Sequence, residues 1–259
     1  MILAIDVGNT NIVLGCIEGR TIHSVARMAT DKLKTDFEYA VSMKEVLAFA
    51  GYRPEDFEGA ILSSVVWPIT SRLEQAVKIL TGLDALVVGK GIKTGLDIRL
   101  DDPAQIGADL VVGAVAALQL HRPPLIVIDM GTATTFSAID TQGRFAGGVI
   151  APGLRLSMDS LSGNTSQLPR VSLDAPAKCI GTNTVASMQS GAIFGSAAML
   201  DGMIDRIDEE LGGGTYVIAT GCLAGRVIPC CRRDIHYEPD LLLIGLAVLW
   251  EKNQPKKKK

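Results

Sequence analysis

Two short stretches place the same chemistry at two points of the chain. Asp6-Val7-Gly8-Asn9-Thr10 ends an apolar run that starts at Leu3, and Asp129-Met130-Gly131-Thr132-Ala133-Thr134-Thr135 ends one that starts at Leu125. An aspartate at the end of a buried strand, followed by glycine and hydroxyl residues in a tight turn, suits phosphate. Gly8 and Gly131 permit positive φ and close backbone approach, and turn N–H groups form a concavity for anions. Thr10, Thr132 and Thr134 can add hydroxyl donors. Carboxylates beside phosphates call for bridging cations, so Asp6 and Asp129 are expected to face one cleft from two domains. Turn-favouring residues in an ordinary hairpin would explain either stretch alone; their recurrence at equivalent positions argues for function. A third carboxylate, Asp109, interrupts the apolar, helix-forming run Ile106 to Leu118. It is either a helix-surface residue or one that faces a cleft, since burial without a partner is costly.

The elements that must carry these residues also come in duplicate. Leu3 to Thr10 overlays Ile126 to Ala133, and each stretch leads into a second apolar strand and a turn ending in Gly-Arg, at Gly19-Arg20 and Gly143-Arg144. An offset of about half the chain suits a duplicated domain rather than a solenoid. Alternation predicts antiparallel strands over 2–7, 10–17 and 21–28, and again over 124–129, 133–139 and 144–151. Helices are expected at Glu38 to Ala50, Pro68 to Leu80, Pro103 to Leu120, Leu154 to Ser162, Thr184 to Leu211 and Leu241 to Trp250. Further strands are expected at Gly59 to Val65, Ala85 to Val88 and Tyr216 to Thr220. The result is a three-layer α/β domain built twice. His121-Arg122-Pro123-Pro124 is the expected boundary, dividing the chain into residues 1–121 and 122–259.

Composition narrows the function. The 259 residues are 47% apolar, enough for a sizeable core, and the net charge of -3 with scattered Lys and Arg argues against a general nucleic-acid surface. The partners expected are small molecules, with no nucleic acid and no membrane. Lys256 to Lys259 reads as a solvated tail. Five irregularly spaced cysteines without a C-x-x-C pair suggest a reducing cytoplasm, and three dispersed histidines exclude a histidine metal site. The opening MILAIDV lacks a charged leader region, and no apolar run reaches the roughly 20 residues needed to span a bilayer.

The paired Asp-x-Gly hairpins resemble the phosphate motifs of the acetate kinase, sugar kinase, Hsp70 and actin superfamily. That likeness implies two ribonuclease H-like domains with ATP in a cleft between them. A narrower likeness rests on DVGNT (6–10), KTGLDIR (93–99), GAD (107–109), DMGTATT (129–135), GGVIAPGL (147–154) and NTVASMQSG (183–191). In order and spacing these are similar to type III pantothenate kinases. The resemblance implies ATP-dependent phosphorylation of pantothenate, the first step of coenzyme A biosynthesis, with Mg²⁺, potassium or ammonium as a monovalent cation, and a homodimer.

By that resemblance Asp6 holds Mg²⁺ and contacts ATP together with Val7, Gly8, Asn9, Thr10, Asn11 and Thr132. Asp129 holds the monovalent cation. Asp109 orients and deprotonates the acceptor hydroxyl, within an acceptor segment of Gly107, Ala108, Leu110, Leu100 and Thr184. A threonine after Asn183 equally reads as a helix N-cap. Gly147, Gly148, Pro152 and Gly153 would shape the wall beneath the nucleotide, and VIATGCLAG (217–225) matches the superfamily's adenosine motif.

The chain departs from the family at three points. Leu110 stands where the family has arginine, Leu100 where it has tyrosine, and Cys222 where it has the second glycine of a pair. Leucine supplies neither charge nor donor to an acidic acceptor. Lys90, Lys93 or Arg99 would have to compensate. The alternatives left open are a kinase for another small alcohol and a low-activity nucleotide-binding paralogue with a regulatory role.

Overall fold

The computed structural model describes residues 1–255, so the tail expected at Lys256 to Lys259 lies outside the described residues. The chain divides into two compact units. One comprises Met1–Leu96, Asp102–Gln119 and the described residues from Asp240 onward; the other comprises Asp97–Asp101 and Leu120–Pro239.

In the first unit β1 (Ile2–Val7), β2 (Asn11–Glu18) and β3 (Thr21–Ala29) form an antiparallel meander. α1 (Asp36–Phe49) leads to β4 (Gly59–Ser64), and α2 (Trp67–Thr81) to β5 (Ala85–Val87), both strands running parallel to β1. The sheet order is β3-β2-β1-β4-β5. Helix α1 starts at a reciprocal capping box, in which Glu38 N–H donates to Thr35 Oγ1 and Thr35 N–H donates to Glu38 Oε2 at 2.7 Å. α2 ends on Gly82 in the left-handed conformation. α3 (Ala108–Leu120) completes the middle of this unit.

The second unit repeats the plan. β6 (Leu125–Met130), β7 (Ala133–Ile139) and β8 (Phe145–Pro152) are antiparallel, followed by α4 (Leu154–Gly163), α5 (Thr184–Glu210), β9 (Tyr216–Thr220), α6 (Ala224–Val227) and β10 (His236–Tyr237). The order β10-β9-β6-β7-β8 is that of the first sheet, with β9 parallel to β6. Two five-stranded mixed sheets of one topology are the duplicated ribonuclease H-like architecture. Among the described residues no helix is long and apolar enough to cross a membrane.

Each sheet buries one face in its own core. Leu3, Ile5, Val7, Ile12 and Leu14 pack with Met43, Leu47, Leu73 and Val77 of α1 and α2. Ile126, Ile128, Met130 and Phe136 pack with Ile193, Leu200 and Ile204 of α5. The opposite face of the first sheet, where Ala4 and Asp6 point, receives the last helix, α7 (Leu241–Asn253). Glycines allow its close approach: a Cβ on Gly59 would collide with the Trp250 ring, and one on Gly15 would lie 2.9 Å from a Leu243 methyl. α7 also presses against α3, because a Cβ on Gly245 would collide with the Val112 carbonyl. The chain's last helix therefore braces the helix that carries Asp109.

Two expectations about this region need correction. The helix expected from Pro103 is broken: Pro103–Gln105 is an isolated 3-10 turn, and α3 begins at Ala108. Asp102 caps the short turn by accepting from Ala104 N–H at 3.0 Å, and Ile106 then extends. The glycines of the phosphate hairpins also do not use positive φ, which among the described glycines falls elsewhere. Gly8 serves instead by closeness, since a Cβ there would stand 3.2 Å from the Asn11 carbonyl.

Gly245→Ala is expected to lower the melting temperature, by an overpacking cost of about 1–3 kcal/mol. Gly191→Ala, on α5 with open space around its missing Cβ, is expected to be neutral or stabilising by about 0.5–1 kcal/mol. Calorimetric melts of the two variants check this, and equal destabilisation would contradict the bracing contact.

Candidate active site

The first phosphate hairpin joins β1 to β2. Its last ladder pair is Val7 with Ile12, which leaves residues 8–11 as the turn, closed by Gly8 N–H donating to Asn11 O at 3.0 Å. In the second, Met130 pairs with Thr134 and residues 131–133 form the turn, closed by Gly131 N–H donating to Ala133 O at 2.9 Å. The second turn is one residue shorter, so the overlay of Thr10 on Ala133 fails at its end. Thr10 corresponds to Thr132 instead. Each offers its carbonyl to the residue just past the third strand, Thr30 N–H to Thr10 O at 3.0 Å and Gly153 N–H to Thr132 O at 3.1 Å.

Thr30 is a residue that motif reading missed. Its hydroxyl also donates to Gly8 O at 2.7 Å, so one residue fastens the first turn at two points, through its backbone and its side chain. No local signal marks it, because its side-chain partner lies 22 residues away in the chain. In the second hairpin Gly153 does the fastening by backbone alone, and a Cβ there would collide with the carbonyls of Gly131 and Thr132. Asn9, Thr10, Asn11 and Thr132 are exposed at the turn tips, where successive backbone N–H groups suit an anion.

The carboxylates sit one turn back, on the strands. Asp6 and Asp129 are half-buried. Strand register decides their neighbours: Val13 and Ser63 flank Asp6, and Thr135 and Thr220 flank Asp129. Thr134 belongs to the other face. Paired with Met130 and only 1% exposed, it points into the core, so the β7 hydroxyl beside Asp129 is that of Thr135. The Asp129 Oδ1 lies 3.8 Å from where a Gly131 Cβ would stand, so carboxylate and turn backbone adjoin. Gly221, at the adenosine segment, has φ +97° and rests on the backbone of Met130, 2.6 Å from that carbonyl by its absent Cβ. Cys222 beside it is exposed.

The acceptor segment is built around Gly107. Asp109 stands in the first turn of α3 and accepts from Leu110 N–H at 2.8 Å. A Cβ on Gly107 would collide with its Oδ1, while the Leu110 Cγ lies 3.8 Å from the same point. The spacing Gly-x-Asp thus has a steric cause: only glycine leaves the carboxylate this rotamer. Burial pushes the Asp109 carboxyl above its ordinary range, against the opposing pull of the backbone donors. Gly107, Ala108 and Leu110 are half-buried beside it; Leu100, in the 97–101 segment of the second unit, is half-buried as well. Arg99, a candidate compensating cation, is engaged by Asp97 at 2.7 Å. The N-cap of α5 is Asn183, which accepts from Ala186 N–H at 2.9 Å, so Thr184 is not the cap but an exposed first helical residue.

A raised native pKa has a defined sign for stability. Above it, the folded state carries a charge it disfavours; on the acid side of the ordinary carboxylate range, about 4, both states are protonated and the penalty is absent. Asp109→Asn keeps the Oδ1 acceptor and is expected to melt higher than the parent near neutral pH, with the difference closing as the pH falls through the raised pKa. Melting curves across that range check this; a lower melting temperature at neutral pH would contradict it.

Residues 2–206 match the family model described as type III pantothenate kinase. The chain is 42% identical to the type III pantothenate kinase of Moorella thermoacetica over 253 residues, covering 98% of this chain and 100% of that protein. It is 44% identical to that of Exiguobacterium sibiricum over 254 residues, with the same coverage. Among solved structures, a putative 2-dehydro-3-deoxygalactonokinase from Sinorhizobium meliloti superposes with a TM-score of 0.60 at 12% identity, over 100% of this chain and 99% of that one, a likeness of fold. On its sequence the chain belongs to the type III pantothenate kinase family.

Proposed function

We propose that this chain transfers the γ-phosphoryl group of ATP to the primary hydroxyl of pantothenate, giving 4'-phosphopantothenate in the first step of coenzyme A biosynthesis. The observation that carries the reading is 42% identity along 98% of the chain to a curated pantothenate kinase. Asp109 supplies the chemistry. It orients the acceptor hydroxyl and takes its proton as the oxygen bonds to phosphorus and the bond to ADP breaks. Its raised pKa makes it a stronger proton acceptor than an ordinary carboxylate.

Asp6, Val7, Gly8, Asn9, Thr10, Asn11 and Thr132 are assigned to ATP, with the turn N–H groups on its phosphates. Gly107, Ala108, Leu110, Leu100 and Thr184 are assigned to the acceptor. Leucines give no charged grip, but they suit the two methyl groups on the carbon that bears pantothenate's hydroxymethyl group. Asp6 is assigned to Mg²⁺ and Asp129 to potassium or ammonium. The donors fit hard cations: each aspartate carboxylate stands level with a hydroxyl residue, Ser63 or Thr220, and no group of three or more His, Cys, Asp or Glu forms a metal cage among the described residues. Mg²⁺ is ordinarily held by one or two carboxylates plus substrate phosphates. When bound, the cations neutralise charge on the phosphates.

A homodimer belongs to this reading, supported by exposed Ile150, Leu156, Ile180 and Val185 in the second unit. So does the cytoplasm, supported by five free cysteines. Burial holds the thiols of Cys16 and Cys231 protonated, pushed up to about 11 and about 12. The other readings, a kinase for another alcohol or a regulatory nucleotide binder, are not favoured beside near full-length identity to curated kinases.

The test is direct detection of phosphopantothenate from purified protein, ATP, pantothenate, Mg²⁺ and potassium or ammonium. The parent is expected to turn over and Asp109→Asn to lose at least about a hundredfold in kcat, the general-base contribution. Turnover by Asp109→Asn near the parental rate would overturn the assignment of the base. No product from folded, ATP-binding parent would overturn the function.

A further inference from the structure

Ser63 carries a buried polar atom without a hydrogen-bond partner, the single such side-chain atom found among the described residues. The residue is 0% exposed. A buried hydroxyl with no partner costs about 1–3 kcal/mol, so its retention calls for a reason. Its neighbour Ser64 shows the ordinary outcome, with its hydroxyl bonded to Thr70 Oγ1 at 2.8 Å and to Val66 N–H at 3.1 Å on the α2 side of the sheet.

Ser63 points the other way. It is paired in register with Asp6 across the parallel β1–β4 ladder, so both short side chains stand on the same face of adjacent strands. The second unit repeats the arrangement independently. Thr220 of β9 is paired in register with Asp129 of β6, is 2% exposed, and has its hydroxyl at 3.5 Å from the Pro239 carbonyl. Two hairpins of different turn length thus keep one rule: a buried hydroxyl on the neighbouring parallel strand, level with the aspartate.

We infer that Ser63 is a positioning residue of the first phosphate hairpin, its hydroxyl donating to the Asp6 carboxylate when nucleotide and cation are bound. The inference rests on the assignment of Asp6 to the phosphates and their cation. A carboxylate that binds a cation through one oxygen needs its rotamer fixed by a donor to the other, and such outer partners commonly contribute tenfold or more to metal affinity. A side-chain rotation at strand spacing suffices to form the bond. Without ligand the hydroxyl is strained by lack of a partner, and binding relieves it.

The experiment is calorimetric titration of Mg²⁺ with a non-hydrolysable ATP analogue into the parent, Ser63→Ala, Asp6→Asn and the double variant, with melting curves of each ligand-free protein. Ser63→Ala is expected to melt at or above the parental temperature and to bind about tenfold more weakly. In the Asp6→Asn background the same substitution is expected to change affinity little. Ser63→Cys, nearly isosteric with a weak donor, takes the place of the alanine variant if that one fails to fold. Parental affinity in a folded Ser63 variant, or an equal loss with and without Asp6, would overturn the inference while leaving the kinase reading intact. A folded parent that binds no nucleotide would overturn both.

Discussion

The structure depends on holding one carboxylate partly out of water. Asp109 keeps its place because three things coincide: α3 begins at Ala108, Gly107 has no side chain, and the Leu110 N–H meets Oδ1. Burial raises its pKa, and the backbone donors keep that rise in check. The same environment that makes it a better proton acceptor makes the native state less stable. That cost has to be met by packing elsewhere, and α7 meets it from the far end of the chain by laying Gly245 against Val112 and Trp250 over Gly59.

The hairpins obey a different constraint, strand register. Side chains alternate with a period of two, so a turn shortened by one residue decides which hydroxyl stands beside an aspartate. In the second unit that choice favours Thr135 and consigns Thr134 to the core. The two turns are then fixed from outside themselves, by Thr30 in one unit and Gly153 in the other. The two units share the ladder and the fastening bond but differ in the sequence and length of the turn tip.

Much of this was legible in the sequence because it is local. Alternating apolar residues located nearly every strand, the repeated Asp-x-Gly turns located both hairpins, and an aspartate in an apolar run marked Asp109. What escaped depends on partners distant in the chain or on competition between local signals. Ser63 acquires meaning only through its ladder with β1, and Thr30 only through its bonds to the turn between β1 and β2. The start of α3 was missed because Pro103 reads as a first helical residue, whereas Asp102 caps a separate short turn and Gly107 needs the interruption. Of the two reasons read for the hairpin glycines, close backbone approach holds and positive φ does not: Gly8 provides space beside the Asn11 carbonyl. The family likeness itself is borne out along nearly the whole chain.

The central claim is that burial turns Asp109 into a strengthened base, and the most direct measurement is an NMR titration of its side-chain carboxyl carbon in the ligand-free protein. The account predicts a midpoint clearly above the ordinary aspartate value of about 3.9, moved upward by desolvation. A midpoint at or below that value would contradict it, since Asp109 would then be an ordinary solvated or ion-paired carboxylate with no enhanced pull on the acceptor's proton.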